Sequence, residues 1–106
     1  MIIQDYYTNG GKNVIKEFLH DLPREEQLEG YRIRHNIIKY GIEVFKLINA
    51  RQLKGKLWEI KFFDNRIMYV IAESVHFLHA CKKQKGKAEK FELDKAIQRA
   101  KERDLL

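Results

Sequence analysis

The sequence has little cysteine and proline, and it has no long apolar run. Cys81 is the only cysteine among 106 residues, which excludes an intrachain disulfide and a metal site built from several thiolates. No stretch approaches the roughly 20 apolar residues of a membrane span, and the chain does not begin with a signal peptide. We therefore expect a soluble, cytoplasmic protein without a membrane partner.

Familiar catalytic motifs are also absent. The sequence contains no Walker motif, dinucleotide-binding glycine pattern, nucleophile elbow or zinc-finger spacing, which argues against nucleotide hydrolysis, redox chemistry and zinc-finger roles. His79 and Cys81 share one face of a predicted strand and His76 points to the other, so they do not form a three-ligand metal site by themselves. We expect no metal and no cofactor.

Basic charge is abundant and unevenly placed. Lys and Arg outnumber Asp and Glu by 21 to 15, which gives a net charge of +6 and a pI near 9.5. Residues 82–106 carry nine basic and five acidic side chains, so most of the excess lies in this last quarter. A lysine run is often only a solvated loop, but the overall balance favours a polyanionic partner such as RNA.

The first half of the chain predicts one strand and two helices within a single domain, residues 1–106. Residues 2–8 form the strand, and Asn13 caps a first helix. Pro23 starts a second helix, which ends at Gly41. Its core-facing stripe is predicted to be Leu28, Tyr31, His35 and Ile38, whereas residues 42–52 fit a helical turn or a loop equally well.

The second half predicts three antiparallel strands and a helix. The strands are residues 57–63, 66–72 and 75–81, with a turn at Asp64 and Asn65. Trp58 belongs on the core face of the first strand, and Glu59 and Lys61 lie on the exposed face. A helix over residues 88–103 follows, with Phe91, Ala96, Ile97 and Ala100 as its apolar stripe. The fold class is α+β, with an antiparallel sheet, two N-terminal helices and a C-terminal helix.

Five residues are candidates for RNA cleavage. Arg66 opens one strand, and Lys82 and Lys83 close the strand next to it, so their charges are expected to meet around a phosphate. Lys61 adds a further cation, and a partly desolvated lysine is a possible base. Glu59 either orients a lysine or acts as a base itself.

Other residues are predicted to contact RNA without taking part in the reaction. They are Lys54, Lys56, His79, Lys85 and Lys87. Trp58, Phe63, Tyr69 and Phe91 are candidate platforms for stacked bases, although an aromatic residue on an alternating strand more often belongs to the core.

Three segments read in order resemble the RelE/HigB superfamily of bacterial toxins, in its HigB-like, phage-derived branch. The segments are LKGKLWEIKFF, RIMYV and FLHACKKQKGKAEKFELDKAIQRAKE, which together cover roughly the C-terminal half. In that family an arginine opens the strand after the first hairpin and a lysine pair follows the third strand, and these positions are Arg66, Lys82 and Lys83 here. Lys61 matches a basic residue common on the first hairpin strand.

The resemblance implies a type II toxin that cleaves mRNA on the ribosome without a cofactor. It also implies a cognate HigA-like antitoxin with a helix-turn-helix domain, through which the complex binds operator DNA. Some relatives have a tyrosine near the site where this chain has Phe91, so the acid–base assignment stays open.

Two other functions are compatible with the same residues. A noncatalytic RNA- or ribosome-binding module would use the lysines only to contact phosphates. A protein-interaction domain would ignore RNA and ribosomes altogether. The charge pattern does not separate these alternatives from a nuclease.

Overall fold

A computed structural model describes residues 1–106 as five strands, three α-helices and one 3-10 helix. In chain order these are β1 (Ile3–Asp5), α1 (Val14–His20), α2 (Arg24–Tyr40), the 3-10 helix (Gly41–Lys46), β2 (Ala50–Lys54), β3 (Leu57–Phe62), β4 (Asn65–Ile71), β5 (Val75–Lys82) and α3 (Gly86–Glu102). The α+β class is confirmed. No helix has the length and apolar character needed to cross a membrane.

The five strands form one mixed sheet in the order β1-β5-β4-β3-β2. The predicted three-stranded meander is present as β3, β4 and β5, but β1 pairs with β5 in parallel. The prediction of a purely antiparallel sheet was therefore wrong. Because Ile3 pairs with Val75, the direction of β1 depends on a partner far away in the chain, and local pattern carries no information about it.

Helices α1 and α2 cover one face of the sheet. Asn13 caps α1 as predicted, since its side chain accepts hydrogen bonds from the backbone of Ile15 and Lys16 at 3.1 and 2.9 Å. Gly41 ends α2 at a φ of 73°, which suits glycine. The core on this face combines helix and sheet residues: Ile15, Leu19, Leu22, Ile33, Ile37, Val44, Ile60, Phe62, Ile67, Tyr69, Val75 and Phe77.

The buried stripe of α2 is not the predicted one. Its buried residues are Gly30, Ile33, Arg34 and Ile37, whereas the predicted stripe faces outward. Gly30 permits a close approach, because a Cβ there would lie 2.7 Å from a methyl carbon of Leu19. Both stripes have helical spacing, so periodicity alone could not choose between them.

Helix α3 covers the other face with a second, smaller core. That core contains Leu57, Met68, Val70, Leu78, Ala96 and Ala100. Phe91 was predicted to belong to the apolar stripe of this helix, but its side chain is exposed. The apolar packing of this helix on the sheet includes Leu93, Ala96, Ile97 and Ala100.

A bulge where β4 pairs with β5 changes the facing of the histidines. The register shifts between Met68 and Tyr69, and Leu78 of β5 is left without a partner. As a result His76 and His79 both face α3. Burial lowers the pKa of His76, with a smaller contribution from Arg103 just after α3, and His79 contacts Arg99 and Glu92. The prediction that His76 points away was wrong, because a bulge interrupts strict alternation.

Two further segments differ from the sequence-based prediction. Residues 42–52, which had no assignment, contain most of the 3-10 helix and the start of the edge strand β2. The turn between β3 and β4 lies at Phe63 and Asp64, one residue earlier than predicted, since Phe62 pairs with Asn65. Phe63 adopts a φ of 52°, which is uncommon for an aromatic residue.

The two ends of the chain are fastened to each other. The Tyr6 hydroxyl donates to a carboxylate oxygen of Glu102 at 2.7 Å, and Arg103 donates to the carbonyl of Asp5 at 3.0 Å. Arg99 and Arg103 also lie over the Tyr6 ring, 4.5 and 5.1 Å from its centroid. These contacts fix α3 relative to β1 and therefore help to position the wall of the cavity described next.

Candidate functional site

A cavity of about 240 Å³ lies between the sheet and the first turns of α3. Its floor comes from β2, β3 and β4, and one wall comes from the end of β5 and the residues after it. The charged residues that line it are Arg51, Glu59, Lys61, Arg66, Lys82, Lys83, Glu89 and Glu92. All five predicted catalytic residues are in this set.

Arg66 lies on the floor of the cavity with its side chain held in place. It donates hydrogen bonds to the carbonyl oxygens of Asn65 and Phe63 at 2.8 and 3.4 Å. Its Nε lies 3.8 Å from the carboxylate of Glu59, and Lys61 is its direct partner across the β3–β4 ladder. The register therefore places an arginine and a lysine side by side, as an anion site requires.

Glu59 is buried rather than exposed. Only 3% of the residue is accessible, and its carboxylate accepts a hydrogen bond from Nε of Arg51 at 2.7 Å. The prediction of an exposed pair with Lys61 was wrong, because β2 and α3 cover this face of β3. With Arg51 on one side and Arg66 on the other, Glu59 is suited to holding Arg66 in position.

Lys82 and Lys83 have different surroundings. The ammonium group of Lys82 pairs with Glu26 of α2 at 3.2 Å, on the side of the sheet opposite α3. Glu26 also accepts a hydrogen bond from Asn65 at 2.8 Å, and these two contacts, chiefly the one from Asn65, lower the pKa of Glu26. Lys83 forms no ion pair, so its charge is free to meet a ligand in the cavity.

The predicted RNA-contacting lysines lie outside the cavity and are all exposed. Lys85 shares a neighbouring depression with Lys82, Lys83 and Asp64, and Lys87 lies in the first turn of α3. Lys54 and Lys56 flank the turn between β2 and β3. Two of these lysines therefore extend the basic surface beyond the end of β5, and the other two lie at the edge of the sheet.

His79 is buried beneath the cavity instead of lying on its surface. It is 7% accessible, and its ring contacts Glu92 through Nε2 and Arg99 through Nδ1. Burial lowers its pKa, and so do Arg99 and Lys95, while Glu92 acts in the opposite direction. The folded protein therefore favours the neutral imidazole.

None of the predicted aromatic platforms lines the cavity. Tyr69 is 2% accessible and belongs to the core, so it offers no surface for a base. Trp58 was predicted to be core, but it is 39% exposed in an apolar depression with Phe45 and Ile42. Phe63 and Phe91 are exposed at a turn and on a helix, respectively.

Sequence reasoning missed four ionisable residues of the cavity, namely Arg51, Cys81, Glu89 and Glu92. Arg51 lies in the stretch that had no assignment. Glu89 and Glu92 are three residues apart in α3 and precede Leu93 and Ala96, so helical spacing alone places them beside the buried stripe. Burial raises the pKa of Cys81 to about 12, with Glu92 adding to the effect, which keeps this thiol protonated.

A family model described as "Phage derived protein Gp49-like (DUF891)" matches residues 17–101. The match includes α2, the four strands β2 to β5 and nearly all of α3, and therefore every residue that lines the cavity. No curated protein matches the chain.

Proposed function

Because the chain belongs to the Gp49-like family of phage-derived proteins, a toxin-like family related to the RelE/HigB superfamily, we propose that it is the toxin of a type II toxin–antitoxin system. We further propose that it is a ribosome-dependent endoribonuclease of the HigB-like branch, which cleaves mRNA in the cytoplasm and thereby stops translation. Its partners are then the ribosome with its mRNA and a HigA-like antitoxin, which links the complex to operator DNA through a helix-turn-helix domain.

The observation that carries the proposal is the convergence of Arg66, Lys61 and Lys83 in one cavity. Cleavage at a ribose phosphate builds negative charge on the pentacovalent phosphorus, and fixed cations that meet this charge lower the barrier. A guanidinium group presents two parallel donors to phosphate oxygens, and Arg66 is already immobilised by two backbone carbonyls and Glu59. The cavity thus supplies a preorganised anion site.

The remaining residues divide the reaction between them. In the proposed mechanism the 2′-oxygen attacks phosphorus, the bond to the 5′-oxygen breaks, and a 2′,3′-cyclic phosphate and a 5′-hydroxyl result. Lys61 and Lys83 add positive charge around the phosphate, and one of their ammonium groups donates a proton to the departing 5′-oxygen. Lys82, held by Glu26, stabilises the rim of the site.

Mapping of mRNA 5′ ends after brief induction tests the proposal. Expression of the wild-type chain is expected to produce new ends in a reporter mRNA, and a start-codon mutation that blocks its translation should remove them. Arg66→Ala should reduce the rate of cleavage by on the order of 10²–10³. Arg24→Ala is the matched control, since Arg24 lies exposed at the start of α2 and forms no ion pair.

The outcomes separate the proposal from its main alternative. Circular dichroism of Arg66→Ala must show an intact fold, because Arg66 also contacts the β3–β4 turn. New ends that persist in this variant would refute the role of Arg66. An absence of new ends with the wild-type chain would favour a noncatalytic RNA- or ribosome-binding module, which the exposed Lys54, Lys56, Lys85 and Lys87 also suit.

A further inference from the structure

Three hydrogen-bonded polar side chains lie in series beneath the cavity, and the cleavage mechanism above does not use them. Arg99 of α3 donates to the carbonyl of Leu78 at 3.0 Å and contacts Nδ1 of His79 at 3.0 Å. Nε2 of the same ring is hydrogen-bonded to Glu92. This series of side chains ends at the cavity, because Glu92 lines the cavity wall.

Arg99 decides where the proton of His79 lies. A guanidinium group only donates hydrogen bonds, so Nδ1 must accept, and the proton of a neutral imidazole is then on Nε2. Nε2 therefore donates to Glu92, which accepts as a carboxylate. Burial favours the neutral ring, in agreement with this tautomer. His79 holds Glu92 in one orientation without adding a charge of its own.

The same tautomer argues against a metal ion at this place. Ligand atoms of His79, Cys81 and Glu92 lie within 4.8 Å of one another, a composition that zinc accepts. Zinc on Nε2 would move the imidazole proton to Nδ1, where it would face the N–H of Arg99. Two donors would then point at each other. The arrangement fits a positioned carboxylate better than a metal ligand.

Glu92 differs from Glu59, another carboxylate that lines the cavity. Glu59 has two guanidinium groups within 4 Å, whereas Glu92 forms no ion pair with any lysine or arginine. About 20% of the Glu92 side chain is exposed, so one side of the carboxylate is open to a ligand in the cavity. Glu92 is therefore held by a neutral donor and not by a cation, and its carboxylate stays available to a ligand in the cavity.

We propose that Glu92 is the general base of the RNA cleavage, with His79 and Arg99 as positioning residues; this inference rests on the proposed function. Glu92 takes the proton of the 2′-hydroxyl as the 2′-oxygen forms its bond to phosphorus. The bond to the 5′-oxygen breaks, and that oxygen receives a proton from a lysine of the cavity. Between bond formation and bond breaking, Arg66 stabilises the negative charge on the pentacovalent phosphorus.

Charged and titratable groups surround Glu92 from the sheet and from α3. They are Arg51, Glu59, Lys61, Arg66, Cys81, Lys82, Lys83 and Glu89 around the cavity, with His79 and Arg99 beneath it. Because a general base must be unprotonated to act, the wild-type rate should rise on the acidic side of the pH profile, the acidic limb, and then reach a plateau. Loss of the carboxylate should remove this acidic limb as well as lower the rate.

The experiment measures single-turnover cleavage of a defined mRNA on purified ribosomes, over a range of pH. Glu92→Gln should slow cleavage by on the order of 10²–10⁴ and abolish the acidic limb. Glu92→Asp keeps a carboxylate and should retain the limb at a reduced rate. His79→Gln should give a smaller loss and displace the limb. Glu25→Gln, which changes an exposed carboxylate on α2 outside the cavity, should change the rate less than about tenfold.

Each result has a definite meaning. Wild-type protein that leaves the mRNA intact overturns the proposed function and the role of Glu92 with it. Wild-type cleavage with an equally active Glu92→Gln variant overturns only the role of Glu92. If Glu92→Gln does not fold, Glu92→Asp decides: a pH profile without the acidic limb contradicts the proposal. One tightly bound zinc per chain, removed together with activity by a chelator, also overturns it.

Discussion

Asp5 and Arg34 form a buried ion pair between β1 and α2. Two parallel hydrogen bonds join them, at 2.7 and 3.0 Å, and both residues are 8% accessible. Asn13 donates a third hydrogen bond to Asp5 at 3.0 Å. The pair explains how a charged residue fits into the buried stripe of α2, since Arg34 lies there with its charge compensated.

Asp5→Asn is expected to destabilise the protein by about 3–5 kcal/mol, because it leaves the Arg34 guanidinium buried without an anion. Urea unfolding measures the change. Glu29→Gln is the matched control: Glu29 makes the same two-bond contact with Arg32, but at the surface, where loss of an ion pair costs about 1 kcal/mol or less. Equal losses in the two variants would contradict the assignment of Asp5 as the critical partner.

The buried histidines predict how stability depends on pH. Burial is the main cause that lowers the pKa of His79, and likewise of His76, below the usual value of 6.5. The unfolded chain then binds more protons than the folded one in this range, so the free energy of unfolding decreases as pH falls below about 6.5. The loss of stability is complete once the pH lies below the lowered pKa values of both histidines.

We expect wild-type protein to be less stable at about pH 5.5 than at about pH 7.5, and His79→Gln to show a smaller difference. His76 retains part of the dependence in that variant. His35→Gln serves as the control, because His35 is exposed on α2 and its removal should leave the pH dependence unchanged. Chemical denaturation at the two pH values provides the comparison. A steeper dependence in His79→Gln would show that the sign is wrong.

Helix α2 shows what periodicity can and cannot predict at the scale of an element. Its existence, its start near Pro23 and its end at Gly41 follow from local signals. Which side faces the core does not, because the residue that makes Arg34 acceptable inside is Asp5, 29 positions away. The same applies to Gly30, whose small size matters only beside Leu19 and Phe62.

Two neighbouring isoleucines test which face of α2 is buried. Ile37 is fully buried, and Ile38 is 52% exposed. Ile37→Ala should lower the free energy of unfolding by about 2–5 kcal/mol, because buried apolar contacts are lost and a cavity is left behind. Ile38→Ala should change it by about 0.5 kcal/mol or less. A larger loss of stability in Ile38→Ala than in Ile37→Ala would mean that the predicted stripe faces the core.

At the scale of the whole molecule, the lysines after β5 and the cavity form one basic region. Residues 82–106 hold nine basic and five acidic side chains, and Lys85 lies next to the cavity rim. Association of such a surface with RNA releases counterions, so affinity falls as salt rises. The affinity for RNA should then depend on where the lysines lie as well as on how many there are.

Lys85→Gln combined with Lys87→Gln should weaken RNA binding and flatten its dependence on salt by roughly 1.4 in log–log slope, if each contacts one phosphate. Lys16→Gln combined with Lys39→Gln removes the same charge from exposed sites on α1 and α2. That control should keep most of the slope. Fluorescence anisotropy of a short labelled RNA measures both, and equal effects would mean that binding is not localised.

The sequence predicted the positions of the cavity's cations better than the framework around them. Arg66, Lys61 and Lys83 come together because they sit at or next to the ends of consecutive strands, and a meander is a local structure. The ammonium group of Lys82 instead pairs with Glu26. Glu92 and Arg51 join the site through the packing of α3 and the pairing of β2, which the sequence pattern left open. The burial of Glu59 has the same origin, since β2, which precedes β3 in the chain, and α3, which follows it, both cover Glu59.

The fastening of the chain ends has a consequence for how the protein is made. During synthesis β1 leaves the ribosome early, but its partner β5 follows about seventy residues later, and α3 later still. Nascent chains fold as their partners emerge, so the wall that carries Glu92 and the contacts of Tyr6 with Glu102 arrive last. While α3 is still inside the ribosome, the nascent chain therefore lacks the wall that carries Glu92, and its cavity is completed only after synthesis of that helix has finished.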